Sequence, residues 1–200
     1  MLGGLFQFES SGDTEAEKYL FKTLGKSDRQ MNRVIRAVPV LANKIYETAR
    51  MMADQNLRAM VDEHFTRFGQ SDYYRRLDPE RLRKLHLEIV NFIFYFVAAR
   101  IIRTYPDPLH YEALLHGISL GLRKSFYVPE EVFFRYQKLA QEDSDPEKIK
   151  GRFSLSLTGY ITGKPDVTLA SSLKALGGVV EKASDILLEM TIMPPPGQNP

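Results

Sequence analysis

The chain has 200 residues, 44% hydrophobic and 26% charged, with a formal net charge of +2 and no cysteine. That length carries one domain with a real core, and the composition excludes a disordered or fibrous chain. So small a charge does not point to nucleic acid, while the lack of cysteine excludes disulfides, thiolate catalysis, thiolate metal sites and thioether-linked cofactors and fits a reduced, cytoplasmic compartment.

Start and stop signals divide the sequence almost wholly into helices, and strand-like alternation is nearly absent. Residues 1–13 have no basic stretch and too short an apolar run for a secretory signal, so they read as a flexible N-terminus. Thr14-Glu15-Ala16-Glu17 fits a capping box, and Gly25 fits the stop of a short first helix. Ser27-Asp28-Arg29-Gln30 is a second box, opening a helix that Pro39 should kink or end. Leu41, Ala42, Ile45, Ala49 and Met52 keep helical spacing, as do Leu57, Met60, Val61, Phe65 and Phe68 before Gly69, giving two further helices or one bent one.

Asp78-Pro79 is an N-cap followed by proline at the first helical position, and it starts the longest helix, reaching about Thr104. Its most apolar stretch, Ile89 to Ile102, contains Asn91 and Arg100 and falls short of the roughly 18 residues a membrane span needs. It reads as a buried central helix, with no transmembrane segment expected. Asp107-Pro108, Val128-Pro129-Glu130-Glu131 and Ser144-Asp145-Pro146-Glu147 start the next three helices, the last ending near Gly163. Asp166 caps a final helix within residues 164–191, and a proline-rich tail over 192–200 is expected to be disordered.

In that final helix Leu169, Leu173, Leu176, Val180, Ala183, Leu187 and Met190 follow a strict 4-3 spacing. This is the seam of a coiled coil rather than the wider stripe of a globular face. Packing back onto the domain and docking a partner through Leu169, Leu173, Leu176, Val180, Leu187 and Met190 both remain open, though Gly177-Gly178 weakens a free coiled coil.

The stretch HGISLGLRKSFYVPEE, from His116 to Glu131, sets Gly117 and Gly121 one helical turn apart. Each glycine costs about 1 kcal/mol relative to alanine in a helix, which is tolerated where something approaches the backbone closely. Another helix or a flat ligand would serve equally.

The order of elements here, a long apolar helix, a short helix after an Asp-Pro turn, a glycine-bearing helix and a proline-started helix, resembles the second half of a globin-like bundle. More specifically it resembles the phycobiliproteins of cyanobacterial and red-algal antennae, in which a glycine is followed six residues later by arginine and twelve residues later by a helix-opening proline. Gly117, Arg123 and Pro129 reproduce that spacing. TYPDPLHYEALLHG, from Thr104 to Gly117, and LANKIYETARMM, from Leu41 to Met52, are similar to further parts of the same family. The resemblance covers roughly residues 14–163 and implies an all-α, globin-like fold. Its N-terminal helix pair, Thr14 to about Val38, would correspond to the helices that pair subunits in that family, implying a possible homodimer, and the final helix would be an addition.

The departures bear on function. Pigmented members attach a linear tetrapyrrole to a cysteine near the start of the long helix, next to an Arg-Asp pair. This chain has no cysteine, and RLRKLHLEIVNF, from Arg81 to Phe92, has no such pair, so covalent bilin attachment is excluded. If a bilin or haem were held non-covalently, Arg83, His86 and Arg123 would suit its propionates, and Tyr95, Tyr111 and Tyr127 would face its conjugated plane. The histidines, His64, His86, His110 and His116, read as surface or helix-end residues, and His116 lacks the spacing of a haem ligand.

No P-loop, Rossmann glycine pattern, HExxH or nucleophile elbow occurs, and QEDSDPE, from Gln141 to Glu147, lacks the spacing of a calcium loop. An enzyme is not expected. The expectation is a pigment-free phycobiliprotein-like protein without cofactor, working by contact with antenna or photosystem subunits in their assembly, regulation or turnover. It would sit in the cytoplasm or on the cytoplasmic face of thylakoid membranes. A non-covalent carrier or sensor of bilin or haem, and a ligand-free globin-like scaffold or sensor, are the alternatives.

Overall fold

The structure, a computed structural model, describes residues 14–25, 29–130, 133 and 145–192. Residues 1–13, Ser27 and Asp28 of the second capping box, most of the helix expected after Pro129, and the tail from residue 193 lie outside the described residues. What is described is all-α, with no strand.

Helix α1 (Glu15–Leu24) begins with the full capping box: the Thr14 hydroxyl accepts from the Glu17 N–H, and the Glu17 carboxylate accepts from the Thr14 N–H. Helix α2 (Arg29–Met51) runs through Pro39 as one helix, so of the expected kink or stop the stop does not occur. Proline there removes one backbone hydrogen bond and costs about 3 kcal/mol. The buried Val34, Ile35 and Val38 before it and Leu41, Ala42 and Ile45 after it anchor both halves on the same core and offset that cost. The predicted break between a second helix and a third is therefore absent. A π-helical segment, Met52–Leu57, leads directly into α3 (Arg58–Thr66), so the apolar spacing from Leu41 to Phe65 belongs to one bent succession of helical turns.

Helix α4 (Pro79–Thr104) is capped by Asp78, whose carboxylate accepts from the Arg81 N–H at 2.9 Å. By length and composition α4 could cross a membrane, but most of its apolar window is buried inside the protein. Its side chains are buried almost continuously from Glu88 to Ala98, the mark of a helix enclosed on all sides. Helices α5 (Pro108–Phe126), α6 (Pro146–Thr162) and α7 (Val167–Glu189) start at the predicted caps Asp107, Asp145 and Asp166, each carboxylate accepting from an N–H of its first turn. Gly163 ends α6 at φ 80°, a left-handed turn that favours glycine and reverses the chain into α7.

Paired contacts give the directions of the helices. α4 is antiparallel to α2, since His86 lies at Tyr46 while Thr104 and Tyr105 border the same groove as Met31 and Val34. α5 is parallel to α2 and antiparallel to α1, with Lys124 paired to Glu15 at 3.2 Å and the ring of His116 4.5 Å from that of Tyr19. On the other side of α4, Phe153 of α6 stacks on Phe92 at 3.9 Å, and the Arg81 guanidinium donates to the Ile161 carbonyl. α6 and α7 form an antiparallel hairpin clamped by Lys150, whose ammonium bridges Glu147 at 2.8 Å and Glu181 at 2.6 Å.

The two glycines of α5 are explained by helix crossing. A Cβ on Gly117 would stand 2.9 Å from Leu20 of α1, and one on Gly121 would stand 2.9 Å from the Cβ of Ala42 of α2. α1 is thus engaged on α5 of its own chain, and α2 crosses the same face one turn further along.

Candidate functional site

The antiparallel run of α2 and α4 places Tyr46 at His86, and the parallel run of α5 lays Phe126 flat on Tyr46. The rings of Tyr46 and Phe126 stack at 3.8 Å and 7°, and His86 meets the edge of Tyr46 at 4.6 Å. The Nε2 of His86 lies 3.4 Å from the Tyr46 carbonyl oxygen. Burial, partly opposed by that carbonyl, pushes the His86 imidazole below its ordinary pKa, so the neutral ring is favoured. One turn before Phe126, the guanidinium of Arg123 pairs with Glu130 at 2.9 Å, tying the end of α5 to the segment after Pro129.

Of the six residues proposed to hold a tetrapyrrole, His86 belongs to this cluster and Arg123 stands one turn before Phe126 on α5. Arg83 is exposed near the start of α4. Tyr127 ends α5 in the left-handed region at φ 55° and is 86% exposed. Tyr95 is buried against Phe92 and Phe96, part of the core rather than a pocket wall. Tyr111 is half-buried in the first turn of α5, roughly 24 Å along the helix from Tyr127 at 1.5 Å per residue. The six do not converge on one ligand. Tyr46, which makes the centre of the cluster, carries no local signal in the sequence, because its partners come from two other helices.

Of the four histidines, His110 is half-buried in the first turn of α5 and His116 is exposed, whereas His86 is half-buried against Tyr46 in the interior of α4, against the surface or helix-end expectation, and His64 is buried. Its Nδ1 lies 3.3 Å from the Ser172 hydroxyl, joining α3 to α7, and its ring touches Phe65 and Phe68. His64 stands in the last turn of α3, so the expectation of a surface or helix-end residue holds as to the helix end, while its burial rules out the surface. Ser172 also donates to the Thr168 carbonyl, and no carboxylate bonds the imidazole among the described residues. The pair is a tie between helices, without the orienting third group of a nucleophilic site. Among the described residues no His, Asp and Glu side chains cluster as a metal site.

In α7 the 4-3 seam faces inward: Leu169, Leu173, Leu176 and Val180 are fully buried and Leu187 nearly so, with Met190 exposed. A partner cannot reach the four fully buried side chains unless α7 lifts from α3, α4 and α6. In this fold the seam is core, and the surface expected for a partner is used within the chain.

Compared with known proteins, this all-α chain matches no family model, no curated protein and no solved structure.

Proposed function

We propose that the chain is a pigment-free, globin-like relative of the phycobiliproteins that works by protein-protein contact. Its setting would be the assembly, regulation or turnover of antenna or photosystem complexes on the cytoplasmic side of thylakoid membranes. The observation that carries the contact mode is the dispersal of the tetrapyrrole candidates, with Tyr95 in the core, Tyr127 in solvent and Arg123 paired to Glu130. The photosynthetic setting is supported by the Gly117, Arg123 and Pro129 spacing. The test is affinity purification of the tagged full chain from a cyanobacterial extract. Colourless protein with antenna or photosystem subunits is expected, and recovery of none of them contradicts the setting.

A second reading, a non-covalent bilin or haem carrier or sensor, draws support from the cluster of Tyr46, His86 and Phe126, with Arg123 one turn before Phe126 on α5. If that reading holds, a Soret or bilin band appears and Arg123→Ala weakens it.

A further inference from the structure

We propose that His86 is an acid-sensitive latch on the end of α5: on taking a second ring proton it turns from Tyr46 toward Asp54, and Phe126 is released from the Tyr46 ring. Three helices meet in this latch. The Tyr46 ring of α2 is held between the edge contact with His86 of α4, at 4.6 Å, and the flat stack on Phe126 of α5, at 3.8 Å. Phe126 is the last residue of α5, and the backbone beyond it is strained. Tyr127 stands at φ 55°, in the left-handed region that favours glycine, and its side chain gains no burial in return. No side chain from Arg123 to Phe126 is fully buried. The ion pairs of that turn, Arg123 with Glu130 and Lys124 with Glu15, join side chains that reach solvent and contribute little. The stack on Tyr46 therefore carries much of what holds the last turn of α5, and a small change beneath Tyr46 is enough to loosen it.

Proton chemistry supplies that change. The Nε2 of His86 faces the Tyr46 carbonyl oxygen, the one acceptor bonded to the ring among the described residues. The neutral ring thus carries its hydrogen on Nε2 and keeps a lone pair on Nδ1. A second proton goes to Nδ1, where it makes a charged donor in a half-buried site with no acceptor bonded to that nitrogen among the described residues. The charged groups that act on the ring are Asp54, which favours the proton, and Arg50, which opposes it, while α5 meets the cluster through the uncharged Phe126. Arg50 and Asp54 pair only at 3.8 Å with both side chains mostly in solvent, so Asp54 can exchange that partner for the imidazolium. Asp54 belongs to the π-helical segment Met52–Leu57, a rare kind of turn that gathers at functional places. Because burial keeps the closed ring neutral, acid favours the open state, in which the ring is solvated, as pH falls from about 6.5 through the lower value of the closed state. The latch goes beyond the contact reading and is independent of what the chain contacts.

The test is hydrogen exchange by mass spectrometry on the full chain between about pH 7.5 and 5.5, either side of the ordinary histidine value. Rates are corrected for the intrinsic pH dependence of exchange. Opening of the amides from Leu122 to Tyr127 should increase as pH falls, by no more than about tenfold per pH unit, the limit for one proton. Amides from Leu173 to Val180 in α7 should not follow. Tyr46→Phe, which keeps the ring and the carbonyl, should retain the response. His86→Gln should abolish it and Asp54→Asn should reduce it. Circular dichroism checks each fold, and should His86→Gln misfold, Phe126→Leu serves instead: its α5 end should be open at every pH, without the response. A wild-type response that is flat, or that α7 shares in parallel, overturns the proposal. So does a full response in His86→Gln, Asp54→Asn or Phe126→Leu.

Discussion

A methyl group added at position 121 and one added at position 178 probe opposite sides of one balance. At Gly121 the new Cβ meets the Cβ of Ala42, which is fixed to the α2 backbone and cannot turn aside. Gly121→Ala should therefore lower stability by about 1–3 kcal/mol despite the better helix propensity of alanine. At Gly178 nothing lies within 4 Å, so Gly178→Ala should raise stability by about 0.5–1 kcal/mol. Gly117→Ala should fall between them, since the atoms it meets belong to the flexible Leu20 side chain. Urea unfolding of the three variants gives the order directly. The glycine spacing in the sequence showed that something comes close to α5. It could not show that the neighbours are Leu20 and Ala42, because residues about eighty to a hundred positions away leave no mark on a local pattern.

At the scale of elements, capping chemistry made helix starts legible: Thr14, Asp78, Asp107 and Asp145 cap where their side chains and following prolines or glutamates indicate, and Asp166 caps by its side chain alone. The helix does not end at Pro39 because propensity acts on one residue while burial acts on both flanking turns. The seam of α7 misled in another way, since a 4-3 spacing serves a packed helix as well as a coiled coil, and only the position of α4, α3 and α6 decides. Leu173→Ala is accordingly expected to cost about 2–5 kcal/mol in thermal or urea unfolding, by lost burial and cavity. Met190→Ala, at an exposed site, should change stability by no more than about 0.5 kcal/mol. A docking seam would show the reverse, with stability little changed by Leu173→Ala.

The contact of α2 with α4 also predicts a pH dependence. The folded state lowers the pKa of His86, chiefly by burial, so the unfolded chain binds the proton more readily than the folded one. The contribution of His86 to stability is complete above its unfolded pKa of about 6.5 and is lost as pH falls from there through the lower folded value. Comparison of urea midpoints between the wild type and His86→Gln should therefore show a difference that changes as pH falls below about 6.5. A constant difference across that range would mean that His86 does not titrate differently on folding.

For the whole molecule, the arrangement of helices separates the groups that a bound tetrapyrrole would need to share. α4 carries Tyr95 into the core, α5 holds Tyr111 and Tyr127 at opposite ends, and Tyr46, Phe126 and His86 cluster one turn from Arg123. The sequence alone could name these residues as candidates because their side-chain types suit the ligand. Whether they face one another depends on the direction in which each helix runs, and that became readable only from contacts such as Tyr46 with His86 and Lys124 with Glu15. At the other end of α2 the fold leaves a groove lined by Met31, Val34, Tyr105 and Pro106. The claim that function lies in surfaces rather than in a pigment pocket is tested most directly by an absorption spectrum across the near-ultraviolet and visible range. The protein should be produced once with haem available and once with a bilin-making pathway. A flat spectrum from both preparations is the predicted result, and a saturable Soret or bilin band that Arg123→Ala weakens would contradict it.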